Sequence, residues 1–299
     1  MVSSSARPSA AQPGLPEDGG LFGPGSVTWR IMSEPVIWVA GVRALYLHAL
    51  HPATMRGTWQ NTAFTDPDQA WGRFVRTTEY VRVRTYGTRA EAERAARRVR
   101  KIHASLSGVD EDGHRYRLDE PDLLRWVHCG EVACYADIAR RSGLPVSPAD
   151  LDKFVAEQRR SAALVGLDPA TVPATMAGLD DYYRRMRPQL RACDEARAAL
   201  RGSFNPPVPP AYRPLKLLVL PWLNTLAFAS LPRWARRLYG APGSPVTDLA
   251  VTAALRAAYQ STTRLPRELL FMPAPAAEAA AASRSSTSRS STTREASFG

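Results

Sequence analysis

Apolar residues recur at helical intervals along most of this 299-residue chain, and strand-like alternation is nearly absent. The run AEAERAARRVRKIHASLSG shows the pattern most clearly. Ala92, Ala95, Ala96, Val99, Ile102, His103 and Leu106 share one helical face, and Arg94, Arg97, Arg98 and Lys101 occupy the opposite one. Punctuation residues mark where such runs begin and end. Asp66 and Pro67 read as the N-cap and first-turn proline of a helix through about Tyr86, ended by Gly87. Thr88 and Glu91 form a capping box for the His103 helix, which Gly108 stops. Asp119 and Pro121 open a long helix that ends at Gly143, and Ser147 and Pro148 open another to about Val165. Residues 27–47 contain an apolar run whose Pro35 suits a first helical turn, and Pro52 forces a kink or restart. GVDEDGHRYRL reads as a loop or short hairpin around Asp-Gly. Further helices are expected in PATMAGLDDYYRRMRPQL and near 215–230, 233–239 and 246–262. The pattern predicts an all-α, single multi-helix domain of eight to ten helices.

Composition limits this picture at both ends. Residues 1–24 and 273–299 are rich in Pro, Gly, Ser, Thr and Ala and are expected to be disordered, which leaves 25–272 as the folded domain. The N-terminus resembles neither a signal peptide nor a membrane span, so the expected location is the cytoplasm. The most hydrophobic stretch, LKLLVLPWLNTLAFASLPRWA from Leu215, is interrupted by Pro221 and Pro232. It reads as a buried or surface-docking helix, and no membrane contact is predicted from it. The formal net charge is +11, carried almost wholly by arginine. Between Arg73 and Lys101 ten basic residues face three acidic ones. That concentration admits a nucleic-acid patch, anchors for ligand carboxylates, or a solvated helix face.

The three cysteines, Cys129, Cys134 and Cys193, fit neither a zinc site nor a C-x-x-C redox pair, and Cys129 and Cys134 read as small buried hydrophobes. The chain contains no G-x-S-x-G elbow, H-E-x-x-H pair, G-x-G-x-x-G turn or phosphate loop. Of the five histidines, His114 lies in a polar loop and His48 on the helix before Pro52, and His51 is held off the helical region by that proline. His128 reads as a hydrogen-bonded core histidine, with Glu131 one turn on. Periodicity alone would also place His103 in the core. The preceding run RFVRTTEYV changes that reading, because Arg73, Arg76 and Thr77 fall within about one turn of one another. An inward imidazole facing a basic, hydroxyl-bearing helix is the material of a haem pocket. The 27-residue interval from Arg76 to His103 holds one helix, a tight turn and a return helix.

The order GSVTWRIMSEP, RALYLHALHPA, DPDQAWGRFVRTTEYV, RKIHASLSG, DGHRYRLDEPDLLRWVH and GLPVSPADLDKFVAEQR resembles the MpaB-type oxygenase and latex-clearing protein (rubber oxygenase) family, over roughly Gly25 to Phe271. The resemblance implies a globin-like helical core around one b-type haem. It places His103 at the proximal iron ligand, with His128, in the WVH segment, as the second choice. Arg73-Phe74-Val75-Arg76-Thr77 looks like the family's distal Arg-x-x-Lys-Thr motif. The chain departs from the rubber oxygenases at Arg76, where they carry lysine. Arginine is in effect never deprotonated, so Arg76 should leave the sixth iron position open or held by water. Its guanidinium suits hydrogen bonding to developing negative charge or pairing with a carboxylate, and Thr77 offers one more hydrogen bond. The departure, together with the missing export signal, argues against polyisoprene as substrate.

The resulting expectation is a haem-b-dependent oxygenase that uses dioxygen on a small or lipophilic substrate, with the electron donor unassigned. Its cofactor residues would be His103, Arg73 and His128, and its catalytic residues Arg73, Arg76 and Thr77. A non-catalytic haem sensor or carrier is the alternative. A basic helical nucleic-acid binder ranks last, because few aromatics interleave with the basic run.

Overall fold

Capping chemistry sets most of the helix boundaries. The computed structural model describes residues 18–62, 66–206, 208, 210 and 213–264. Thirteen α-helices carry them: α1 (Val27–Met32), α2 (Ile37–His48), α3 (Pro52–Gln60), α4 (Pro67–Tyr86), α5 (Arg89–Ser105), α6 (Pro121–Ser142), α7 (Pro148–Leu164), α8 (Met176–Met186), α9 (Asp194–Ser203), α10 (Arg213–Leu218), α11 (Leu220–Ala229), α12 (Arg233–Leu238) and α13 (Pro245–Thr262). Asp66 accepts from the amides of Asp68 and Gln69, and Thr88 and Ser147 close the capping boxes of α5 and α7. Gly143 ends α6 in the left-handed region that a side chain disfavours. The chain is all-α apart from one short antiparallel hairpin, β1 (Ser107–Val109) with β2 (Arg115–Arg117), where the Asp-Gly turn placed it.

The helix count exceeds the expected eight to ten because residues 27–47 and 215–230 each hold two helices and because α9 lies where no helix was expected. In residues 27–47 the two helices are separated by the turn at Ser33–Val36. Pro35 lies in that turn; it has no N–H to continue the α1 ladder. The helix expected near 215–230 is likewise divided, into α10 and α11, whereas α12 falls where a helix was expected near 233–239.

α6 is the axis of the fold. Its Trp126, Cys129, Ile138 and Ala139 are fully buried, packed among Leu47 of α2, Phe154 of α7, Ala227 of α11 and Leu255 of α13. Each large apolar side chain buried here contributes roughly 1.5–3 kcal/mol. Cys129, Cys134 and Cys193 are buried and free, and burial pushes the Cys129 and Cys134 thiols up to about 12.

One buried carboxylate does work that local sequence does not announce. Glu157 of α7 accepts from the amides of Val27 and Thr28 and from Thr28 Oγ1, supplying the start of α1 with partners from 130 residues away. Gln158 adds a bond to the same hydroxyl.

Order also begins earlier than Gly25. Leu21 and Phe22 pack with Ala92 and Ala96 of α5 and Leu164 of α7. Asp18 accepts from the Arg89 amide at the start of α5, and Arg160 donates to the Leu21 carbonyl. The remainder of the expected disordered ends, 1–17 and 273–299, lies outside the described residues, as does 265–272 of the expected domain. Among the described residues no helix is long and apolar enough to cross a membrane.

Candidate functional site

α4 and α5 form a hairpin closed at Gly87 and Thr88. Arg73 lies fourteen residues before Gly87 and His103 sixteen after it, so the two stand about 21 and 24 Å from the turn, abreast of one another near the open end. The electrostatics agree. The His103 imidazole is held below its ordinary pKa, first by burial and then by the charge of Arg73, against a small opposing pull from Asp119. Its Nδ1 is buried and has no hydrogen-bond partner among the described residues. Arg73 in turn is depressed by burial and by Arg76. It donates to Thr62 Oγ1, and no ion pair joins it to a carboxylate among the described residues. A neutral imidazole with a bare nitrogen thus faces a half-buried cation that has no carboxylate partner among the described residues.

The other predicted residues of α4 are not drawn in. Arg76 is exposed and folds back over Gly72, whose missing Cβ leaves the guanidinium room to pass. Thr77 is also exposed, and its hydroxyl donates to the Arg73 carbonyl of its own helix at 3.0 Å. The apolar stripe of α5 also turns away at its end. Ala92 and Ala96 are fully buried, but Ile102 is exposed, as are Phe74 and Val75 of α4. Arg94, Arg97, Arg98 and Lys101 form a solvated face.

His128 belongs to a different cluster. On α6 it neighbours Glu131, which binds Arg84 of α4 at 2.7 and 3.3 Å. Arg84 is eleven residues along α4 from Arg73, about 16 Å on, so His128 and His103 occupy separate places rather than opposite sides of one ion. Burial pushes Glu131 up, but Arg84 outweighs it, and the carboxyl sits below its ordinary value. Burial holds both His128 and His48 down to about 4, against the pull of Glu131.

His48, read from sequence as a helix-end residue, enters this cluster from α2. It bonds to the Val127 backbone, its ring lies against Gly130, and its Nε2 is buried without a partner among the described residues. Arg84 was missed for a simple reason: it falls inside a run of arginines that composition marks as solvated. The available signal was its register, four residues after Tyr80, over whose ring it also lies at 5.7 Å. His51 caps α3, accepting the Thr54 amide, and borders a solvent-open cavity of about 520 Å³ with Asp122, Arg125, Tyr182 and Arg185. Neither Arg73 nor His103 lines that cavity.

With the geometry in view, a comparison with protein families gives a match over residues 29–261 to the ER-bound oxygenase mpaB/B'/rubber oxygenase catalytic domain. The chain belongs to this family. It is an oxygenase, and the matched segment runs from α1 through α13, containing both the Arg73–His103 pair and the His48–His128–Glu131 cluster. Comparisons with curated proteins and with solved structures return no match.

Proposed function

We propose that the protein is a haem-b-dependent oxygenase of a small or lipophilic substrate, with His103 as the iron ligand in a globin-like arrangement of α4 and α5. The observation that carries this reading is the juxtaposition of His103 and Arg73. Iron is bound by the neutral imidazole, and burial together with Arg73 keeps His103 in that form. Its bare, buried nitrogen is available for coordination. Arg73, half-buried and without a carboxylate partner among the described residues, suits a propionate, and the exposed Phe74, Val75 and Ile102 offer apolar surface for a porphyrin edge. The residues present therefore fit the group. Bound there, haem would supply the oxygen chemistry.

The chain's own contribution is positional and electrostatic. His103 would orient the iron and Arg73 would neutralise an acidic group at the site. Arg76 and Thr77, one turn on and open to solvent, would form a rim able to donate hydrogen bonds. Arg76 stays protonated and so cannot act as a ligand. His128 is the lesser candidate, since its neighbour Glu131 is already committed to Arg84.

The test is an absorption spectrum of protein made with haem supplied. A Soret band is expected, reduced severalfold in His103→Ala and retained in His128→Ala. A folded protein that binds no haem overturns the proposal, and the reverse pattern of the two variants moves the ligand to α6.

A further inference from the structure

The region that sequence read as buried or surface-docking is in part laid open. Leu217 and Leu218 of α10 are 73% and 78% exposed, and Val219 and Trp222 follow at 47% and 58%. On α13, Val246 and Leu249 are 73% and 72% exposed. These six make up more than half of the large apolar side chains standing in solvent among the described residues. They are not scattered. Trp222 borders a shallow apolar groove of about 450 Å³ between α11 and α13, and Ala250, next to Leu249, borders it from the other side. Exposed apolar side chains gathered on α10, α11 and α13 in this way are uncommon on a protein that has nothing to cover them.

The charge around it is one-sided. From Ala196 to Thr247 the chain has seven basic residues and no acidic one. The first carboxylate after that stretch is Asp248, between Val246 and Leu249, and it is taken up by Arg233 and Arg236. Arg213 and Lys216 lie on α10 itself, beside the exposed leucines, and form no ion pair among the described residues. Leucines flanked by long basic side chains, with a tryptophan at the margin, match the chemistry of a membrane interface: apolar tips enter the acyl boundary, the indole stays at headgroup depth, and cations meet anionic headgroups. α10 has six residues and α11 ten, too short to span a bilayer, so this geometry is that of a surface lying on one leaflet.

We propose that α10, the start of α11 and the start of α13 form a docking face for a bilayer carrying anionic phospholipid. The proposal is independent of the haem reading, because none of these residues belongs to the α4–α5 hairpin. It gives the chain a way to meet a lipophilic substrate in the phase where such a molecule resides.

Co-sedimentation of the full chain with extruded vesicles is the test, comparing phosphatidylcholine alone with phosphatidylcholine containing about one third phosphatidylserine. Binding is expected to be roughly tenfold stronger to the anionic vesicles and to weaken in high salt. Leu217→Ser/Leu218→Ser should lower it by about tenfold with an unchanged melting temperature, because both side chains already stand in water. Lys216→Glu should reduce the preference for phosphatidylserine, and Trp222→Ala should weaken binding to both vesicle types. Wild-type protein that stays in the supernatant with both vesicle types overturns the proposal. So does undiminished binding by the leucine pair variant. A dimer in light scattering that Leu217→Ser/Leu218→Ser converts to monomer would assign the face to a second copy of the chain instead.

Discussion

The Arg84 guanidinium reaches from α4 to both carboxylate oxygens of Glu131 on α6, at 2.7 and 3.3 Å, with both side chains largely withdrawn from solvent. Glu131 also bonds to Tyr135 one turn on. The pair therefore joins the hairpin that carries His103 to the helix at the centre of the core.

Breaking this pair from one side should be severe. Glu131→Gln leaves a buried guanidinium without its counter-charge, and a loss of about 3–5 kcal/mol is expected. Arg84→Met/Glu131→Gln removes both charges and should lose less than the two single variants together. Denaturant unfolding of the four proteins in a double-mutant cycle measures the difference; additive losses would show that the two charges do not interact.

The two histidines near Glu131 predict a stability that falls in mild acid. His48 and His128 hold at about 4 in the fold, against an ordinary value of 6.5. Above about pH 6.5 both are neutral whether the chain is folded or unfolded, and neither affects the balance. Between 6.5 and about 4 the unfolded chain takes up protons that the fold refuses, so stability drops by up to about 1.4 kcal/mol per histidine for each pH unit. Thermal melts from pH 7 to pH 4.5 should show this slope, and His48→Gln should flatten it. A melting temperature independent of pH over that range would contradict it.

Removing the cation beside His103 should raise its pKa. Arg73→Met deletes a charge that, after burial, is the next cause of the depression, so the imidazole titration followed by NMR should move up towards the ordinary value. The same variant should bind haem more weakly while the haem-free protein is at least as stable, because a half-buried charge with no carboxylate partner among the described residues is gone. An unmoved His103 titration would mean that the two groups do not sense one another.

Gly130 sets helix propensity against packing. Alanine in the middle of α6 should gain roughly 1 kcal/mol of propensity over glycine. Its Cβ, however, would lie 2.6 and 2.8 Å from His48 Cδ2 and Nε2. The ring is buried and tied to the Val127 backbone, so it has little freedom to move, and a net loss of about 1–3 kcal/mol is expected in Gly130→Ala. A melting temperature raised by the substitution would show that the ring yields.

Local sequence determined a large part of this molecule. The caps at Asp66, Thr88 and Ser147, the stop at Gly143 and the Asp-Gly hairpin are set by interactions within a few residues, and all appear where the pattern put them. The approach of Arg73 to His103 was also legible, because two helices joined by a tight turn leave few ways to place residues equidistant from it. What required the tertiary structure were choices among similar side chains. The arginines of α4 look alike in sequence, yet Arg76 is left in water, Arg73 is half-buried with no carboxylate partner among the described residues, and Arg84 is held by a carboxylate 47 residues away. Glu157 serves α1 from α7, and Leu217 and Leu218 are exposed although their run is the most apolar in the chain. Periodicity fixes which face of a helix is apolar, but the desolvation and pairing of a given charge depend on which distant element packs against that face, and only the assembled fold decides that.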